Sequence, residues 1–557
     1  MNKISFYILS ICFSILSING YSQEEIYDNI EFKMPKVVIP EFPDNNVLIT
    51  DFGAVGDGFT LNTSAISKAI GDIANRGGGT VTIPRGIWLT GPIVLKSNIN
   101  LHVEKGALVV FSKNKDLYPL IESYYEGVED LRCQSPISGK NLENIAITGE
   151  GIFDGSGDVW RMIKRFKLTE KQWKTVVKSG GVTNDDETIW YTSEAHKKGS
   201  ERNKKDDDKN FKSIEDYYEI RDYFRPVMLS LISCKNVLID GPVFQNSPNW
   251  TLHPLMCESV TVRNVDVKNP WYSQNGDGID VESCKNVLVY NNTFDTGDDA
   301  ICIKSGKDKS GRDRAIPSEN IIVKNNVVYH GHGGVVVGSE MSGGVKNLHV
   351  SNCTFIGTDV GLRFKSRRGR GGVVENIYIS NIDMINIPTN AISFNMYYQN
   401  KSVSEMLASK DNESTVEEII PVNEETPQFR NIYIKDVKCN GAYQAIYLQG
   451  LPEMKLENVH LENLNMSAKN GLTCIDADGV EVKNLRLDIE NVPAVSFHNS
   501  SNVRVSDLEL VKTAKENVSI SGNETKNINI KLTNDGGENI TEVQFGENVK
   551  KREVSLK

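Results

Sequence analysis

Four short polar clusters carry the residue types that acid–base chemistry needs, and they recur at near-regular intervals. The first, NGDGID, supplies Asp277 and Asp280; GDDAICIKSG supplies Asp298 and Asp299, 21 and 22 residues after Asp277. His332 then stands between two glycines in GHGG, and RFKS places Arg363 and Lys365 a further 31 and 33 residues along. Alone, each has an ordinary explanation: a DG or DD is usually a turn, and a His between glycines is usually structural. Together they describe carboxylates gathered beside an imidazole and two cations. Stacked carboxylates raise one another's proton affinity, so one can stay protonated as an acid while others stay ionised as bases. That division of labour suits cleavage of a glycosidic bond. Arg367, Arg368 and Arg370 read as a solvated loop.

For these clusters to meet, the chain must return to the same place about once per interval. From about residue 140 a short phrase does return: Asn, aliphatic, any, aliphatic, polar, Asn or Asp, aliphatic. It reads NVLIDGP from Asn236, SVTVRNV from Ser259, NVLVYNN from Asn286, NIIVKNN from Asn320, NLHVSNC from Asn347 and NIYISNI from Asn376, in steps of 23, 27, 34, 27 and 29 residues. Alternating aliphatics mark half-buried strands. One strand per such step, with Asn and Gly between, predicts a parallel β-solenoid whose coils stack about 4.8 Å apart. Cys234, Cys257 and Cys284 each fall two residues before the phrase and should stack as a core ladder. Residues 62–76 predict an N-terminal cap helix, with Asn62 as its N-cap and Ile66, Ile70 and Ile73 on one face.

The whole-chain numbers narrow the classes. Sixty-two Lys and Arg against 73 Asp and Glu give 557 residues a net charge of −11, which disfavours a nucleic-acid partner. Lys3, an apolar run from Ile4 to Ile18 and the small residues near Ser22 read as a signal peptide over 1–22, with export to the periplasm or outside and no membrane span afterwards. The remaining regions are expected as an N-terminal segment and cap at 23–113, the β-helix at 114–540 and a tail at 541–557. Insertions at 155–224, charged and aromatic, and at 400–428, acidic, interrupt the repeat. A monomer needing no cofactor or metal is expected.

The four clusters, in this order and spacing, resemble the motifs of glycoside hydrolase family 28, the polygalacturonases, and DFGAVGDG from Asp51 with GGGTVTIPRGIWLTGPI from Gly77 resembles the N-terminal part of bacterial members. The resemblance implies a right-handed parallel β-helix that hydrolyses α-1,4-linked galacturonic acid with inversion. It makes Asp298 the general acid, Asp277 and Asp299 the pair that activates water, and His332 their hydrogen-bonding partner. Arg363 and Lys365 would grip the substrate carboxylate past the cleaved bond, and Tyr398, with Tyr397 beside it, would complete that subsite. Asp280 matches the motif in a structural role. The insertion at 155–224 precedes the catalytic coils, where it would block the groove and leave room for one terminal sugar, giving exo action from the non-reducing end. Trp250 and His253 fall about one coil before Asp277, and His253 is expected in that pocket. Competing readings are a rhamnogalacturonan or other pectic hydrolase, a Ca²⁺-dependent pectate lyase, and a non-catalytic carbohydrate-binding solenoid.

Overall fold

The computed structural model describes residues 23–205, 213–398, 419–511, 517–532, 543–546 and 549–556. The expected signal peptide and most of the acidic insertion lie outside them. The repeated phrase becomes a strand entered through a left-handed corner. Its leading residues Asn236, Asn286, Asn320, Asn347, Asn376 and Asn431 all have φ between 54° and 59°. Asn tolerates that region better than other non-glycine residues. Its amide then bonds to the same residue on the next coil: Asn320 to Asn286 at 3.0 Å, Asn347 to Asn320 at 3.0 Å and Asn376 to Asn347 at 3.2 Å. The corner and the ladder explain why this position repeats.

Strands pair in parallel along three faces of a right-handed parallel β-helix. The phrase strands form one face, among them Lys235–Asp240, Glu258–Arg263, Lys285–Tyr290 and Ser318–Lys324. A second face runs through Val243–Gln245, Asp266–Lys268, Thr293–Asp295 and Val327–Tyr329. The third face carries the polar clusters: Leu229–Ile232, Leu252–Leu255, Ile279–Glu282, Ile301–Lys304, Val335–Val337 and Leu362–Lys365. Inside, aliphatic rows and stacked rings fill the tube, such as Phe153 on Phe244 at 5.2 Å and Phe364 on Phe394 at 4.2 Å.

The solenoid is longer than the expected 114–540. Asn46–Leu48 already pairs with Gly79–Ile83, and Lys526–Leu532 pairs with Val554–Leu556. Asn98 already holds the same left-handed corner in an early coil, with φ of 61°, and accepts from the Asn144 amide at 3.0 Å. The cap helix spans Thr63–Asn75 and buries Ile66, Ile70 and Ile73. Asn62 occupies the N-cap position, but its side chain makes no capping bond; it is spent on the backbone of Val55, Thr60 and Leu89. Cys234, Cys257 and Cys284 do stack: the Cys234 amide donates to Cys257 Sγ at 3.4 Å and the Cys257 amide to Cys284 Sγ at 3.3 Å. All three are free thiols in the core.

The insertion at 155–224 folds as a small unit, with an antiparallel sheet of Ile163–Lys164, Ile189–Tyr191 and Val182–Thr183, and helices that bury Trp173 and Trp190. Lys115–Asp222 (2.7 Å) and Arg221–Asp116 (3.1 Å) tie it to the solenoid. A second excursion, the hairpin Leu120–Tyr125 and Val128–Cys133, was not separable in sequence from the strands around it. Among the described residues no helix is long and apolar enough to cross a membrane.

Candidate active site

Register decides which charges meet. Ile279 pairs with Ile301 and Ile301 with Val335, which sets Asp277 level with Asp299, and Asp298 level with His332. Val335 pairs with Leu362, so Asp359 continues the second row. One carboxylate oxygen from each of Asp277, Asp298 and Asp299 lies within 4.8 Å of the others. Asp277 and Asp299 form the floor, at 3% and 2% exposure, while Asp298 is more open.

Asp298 is held on both oxygens. Oδ1 accepts from the Asp299 amide at 3.0 Å and lies 2.9 Å from His332 Nδ1. Oδ2 accepts from the Asn275 amide at 3.3 Å. Asn275 is fixed in turn by Arg225, whose guanidinium donates to Asn275 Oδ1 and to the Gln274 carbonyl, both at 2.9 Å. His332 Nε2 faces Asp359 Oδ2 at 3.8 Å. Asp299 is anchored by Lys365 Nζ at 2.7 Å and by Arg363 Nη1 at 3.4 Å. The Tyr398 ring lies 5.1 Å from the Lys365 ammonium and 5.7 Å from the Arg363 guanidinium, whereas Tyr397 packs inward against Arg368. Of the two tyrosines, Tyr398 thus faces the cation pair.

Lys304, in GDDAICIKSG, lies at the centre of a buried ionic cluster. Its ammonium is 3.1 Å from Asp280, 3.4 Å from Glu340 and 3.9 Å from Asp277, over the Trp250 ring at 3.8 Å. Asp280 is fully buried. His253, expected in the sugar pocket, is instead 1% exposed and bonds through Nε2 to Glu282 at 3.0 Å. Its ring packs edge-on against Trp250, at 5.1 Å. The arginine run is likewise not a solvated loop. Arg368 forms a bidentate pair with Glu453, and Arg370 is buried against the Ser339 carbonyl at 3.1 Å.

The environments push the carboxyls apart. Burial raises Asp277 well above the usual carboxylate range, the charges of Asp280 and Asp298 add to it, and its Oδ1 has no hydrogen-bond partner. Burial alone would raise Asp298 too, but the His332 hydrogen bond and charge, helped by Lys365 and Lys304, hold it well below that range. His332 loses proton affinity to burial and regains more from Asp298, for a net rise. Burial lifts Asp280 to about 6 against the pull of Lys304. Glu340 resists burial through Lys304 and Lys365 and falls to about 2. Three carboxylates this close could ligate a divalent cation. Here Lys304, Lys365 and Arg363 already supply the counter-charge, and His332 occupies the open side.

Sequence reasoning found the residues aligned with the coil period and missed Lys304, Glu340, Asp359 and Lys167. Lys304 had a signal: it lies two residues after Cys302 and so shares that residue's outward face. Lys167 had none, because it sits in the insertion, outside any register. Its ammonium donates to the Gly297 carbonyl at 3.4 Å, next to Asp298.

Comparison with known proteins agrees with this geometry. The family model for glycosyl hydrolases family 28 matches residues 219–423. An exo-poly-alpha-D-galacturonosidase of Dickeya chrysanthemi is 31% identical over 63% of this chain and 57% of its own length. An endo-polygalacturonase of Pectobacterium carotovorum subsp. carotovorum is 26% identical over 68% of this chain and 84% of its own. The hyperthermoactive exopolygalacturonase of Thermotoga maritima superposes with a TM-score of 0.65 at 29% identity, over 89% of this chain and 95% of that one. With its stacked carboxylates and its Arg363–Lys365 pair, the chain is similar to the glycosyl hydrolases of family 28.

Proposed function

We propose that this protein is an exported hydrolase that removes galacturonic acid from the non-reducing end of α-1,4-linked galacturonan with inversion. The observation that carries the substrate class is the cation pair Arg363–Lys365 lying directly against the carboxylate cluster. A sugar acid bound across the scissile bond brings a carboxylate to that pair, and charge-assisted, bidentate contact suits Arg. Exo action is supported by the insertion, which reaches the turn before Asp298 through Lys167 and meets the groove beside Arg161 and Arg225. The matched exo-acting enzymes point the same way. Export rests on the apolar N-terminus alone.

In this reading Asp298 delivers the proton to the leaving oxygen, and the Asp298–His332 hydrogen bond stores that proton between turnovers. Asp277 and Asp299 hold and deprotonate the attacking water. Arg363 and Lys365 grip the carboxylate of the leaving sugar, with Tyr398 stacked behind them. The 4.8 Å grouping is closer than the spacing usual for inverting pairs, about 6.5–9.5 Å. Inversion therefore rests on the family resemblance and not on this spacing. Proton NMR of the first product decides it: β-galacturonic acid means inversion, and the α anomer means retention.

A second assignment is favoured by one observation, the raised proton affinity of Asp277. There Asp277 is the acid and Asp298 the base. An aryl galacturonide with an activated leaving group separates the two, because only loss of the acid is rescued by a leaving group that needs no proton. Time-resolved product analysis on de-esterified oligogalacturonides tests the function itself. Saturated monomer from the first minutes, with or without EDTA, supports the reading. Mixed saturated oligomers sink the exo claim, and an unsaturated, EDTA-sensitive product makes the protein a lyase.

A further inference from the structure

Among the described residues, Lys304 answers Asp277, Asp280 and Glu340; Lys365 and Arg363 answer Asp299; Arg314 answers Glu282. Arg161 and Arg225 are held instead by sets of carbonyl and amide oxygens. Lys167 has no such set of partners. Among the described residues its ammonium has no ion-pair partner within 4.0 Å, and its one hydrogen bond is the long contact to the Gly297 carbonyl. It is half-buried, and burial lowers its proton affinity while the charges of Asp298 and Asp359 face it and Lys164 opposes it. A partly desolvated ammonium without a counter-ion is costly unless something supplies one.

The turn that carries Lys167 is built to hold still. Arg165–Lys167 forms a single 3-10 turn, closed by the Leu168 amide on the Arg165 carbonyl at 2.9 Å and by the Arg165 amide on Thr188 at 2.8 Å. Arg165 also pairs with Glu170, at the start of the next helix. Opposite it, the loop of Pro270–Ser273 packs so tightly on Gly297 that a Cβ there would strike Pro270 and Ser273. That loop presents Trp271, which is 51% exposed although large and aromatic. Gly297 is therefore where the insertion's cation and the aromatic loop converge, immediately before Asp298.

We propose that Lys167 is a specificity-determining residue that binds the carboxylate of the terminal, non-reducing galacturonate, with Trp271 as the apolar wall of that subsite. Galacturonan carries one carboxylate per ring, so a scissile bond has one on each side. Arg363 and Lys365 serve the leaving side; Lys167, from the other direction, serves the released sugar. The insertion then does more than close the groove. It selects a terminal sugar that is an acid and rejects a neutral or esterified one.

The proposal rests on the exo reading, and the test keeps the two apart. Wild type, Lys167→Met and Lys167→Arg are assayed on digalacturonate, with galacturonate and galactose as product-site inhibitors, and thermal melting is recorded for each. The expected result for Lys167→Met is a fall in kcat/KM of roughly 10- to 100-fold, the size of one lost charge-assisted contact. Inhibition by galacturonate should weaken by a similar factor, inhibition by galactose should not change, and Lys167→Arg should restore most of both. A Lys167→Met enzyme that melts like wild type and keeps wild-type kcat/KM and galacturonate inhibition overturns the proposal and leaves exo action standing. Failure of the wild type to release monomer overturns the exo reading itself, and the proposal with it.

Discussion

The catalytic coils and the coils that follow them share one register and differ in what they bury. Between Leu229 and Lys365 the groove face is made of strands three or four residues long, broken by turns that carry Asp277, Asp298, His332 and Asp359. After Val373 the strands run 23, 22 and 20 residues almost without interruption. Ladder positions show the same change. Lys365 is followed at its level by Asn395, Gln449 and Ile475, and Arg363 by Ser393, Tyr447 and Thr473. The later coils satisfy themselves with amides, hydroxyls and aliphatics. The catalytic ones hold Asp277, Asp280, Glu282 and Lys304 almost wholly out of water, at the desolvation cost that buried ions carry. The same scaffold is thus optimised for packing in one stretch and for poised charge in the other.

If that division is real, substitutions in the two regions should separate rate from stability. The largest effect belongs to Asp298→Asn, which removes the acid while keeping the shape: kcat should fall by about 10²- to 10⁴-fold, with little change in melting temperature. Steady-state kinetics beside a thermal melt checks both halves. In the later coils the opposite holds. Leu487, fully buried, should cost about 2–5 kcal/mol when cut to Ala, because a cavity is left in a tube that cannot collapse. Its kcat per folded molecule should stay at the wild-type value. A Leu487→Ala enzyme with normal stability and damaged kcat would break the comparison.

The two regions were not equally legible in sequence. The later coils and the solenoid itself were readable because the corner physics is local. An Asn that tolerates positive φ and bonds to the Asn one coil away leaves a visible phrase, and Cys234, Cys257 and Cys284 kept step with it. The carboxylates were readable for the same reason, since their spacing equals one coil. The remaining site features depend on contacts that no period encodes. His253 looked like a pocket residue and proved to be the buried partner of Glu282, packed against Trp250. Asn62 took the N-cap position and spent its side chain elsewhere. Lys167 reaches Asp298 from a chain segment more than a hundred residues earlier, and only the folded insertion brings it there.

A smaller effect probes the proton that the catalytic coils hold. His332 is raised above its ordinary 6.5, so its bonding contribution is complete below that value and is lost as pH rises through the raised one. Asp298 is depressed below its ordinary 3.8, so its contribution is present above 3.8 and is lost as pH falls through the depressed value. Both act together between roughly pH 4 and pH 6.5. In wild type the alkaline limb of kcat should follow His332. In His332→Gln the limb should move acidward, with kcat reduced by up to about 100-fold as Asp298 loses its orienting partner. An unmoved limb would take His332 out of the proton path.

The smallest effect tests the corner itself, where the later coils get their regularity. Asn458 has φ of 54°, donates to Asn431 Oδ1 at 2.8 Å, and sits at the corner of the third long strand, Leu456–Ile475. Three terms are mixed there: the cost of a left-handed backbone, the bond along the ladder, and the side-chain bonds to His460 and Tyr433. Asn458→Gly removes the bonds but keeps the conformation free of strain, and should cost about 1 kcal/mol. Asn458→Ala removes the bonds and forces a Cβ into the left-handed region, adding about 1–2 kcal/mol more. Denaturant melts of the three proteins should therefore rank Asn above Gly and Gly above Ala, with activity unchanged in all. Equal stability for Gly and Ala would mean that the side-chain bonds, not the corner, select asparagine. The repeat would then be a record of side-chain bonding between coils, and the corner where Ser259, with φ of 59°, stands in place of Asn would be the point at which that ladder is interrupted.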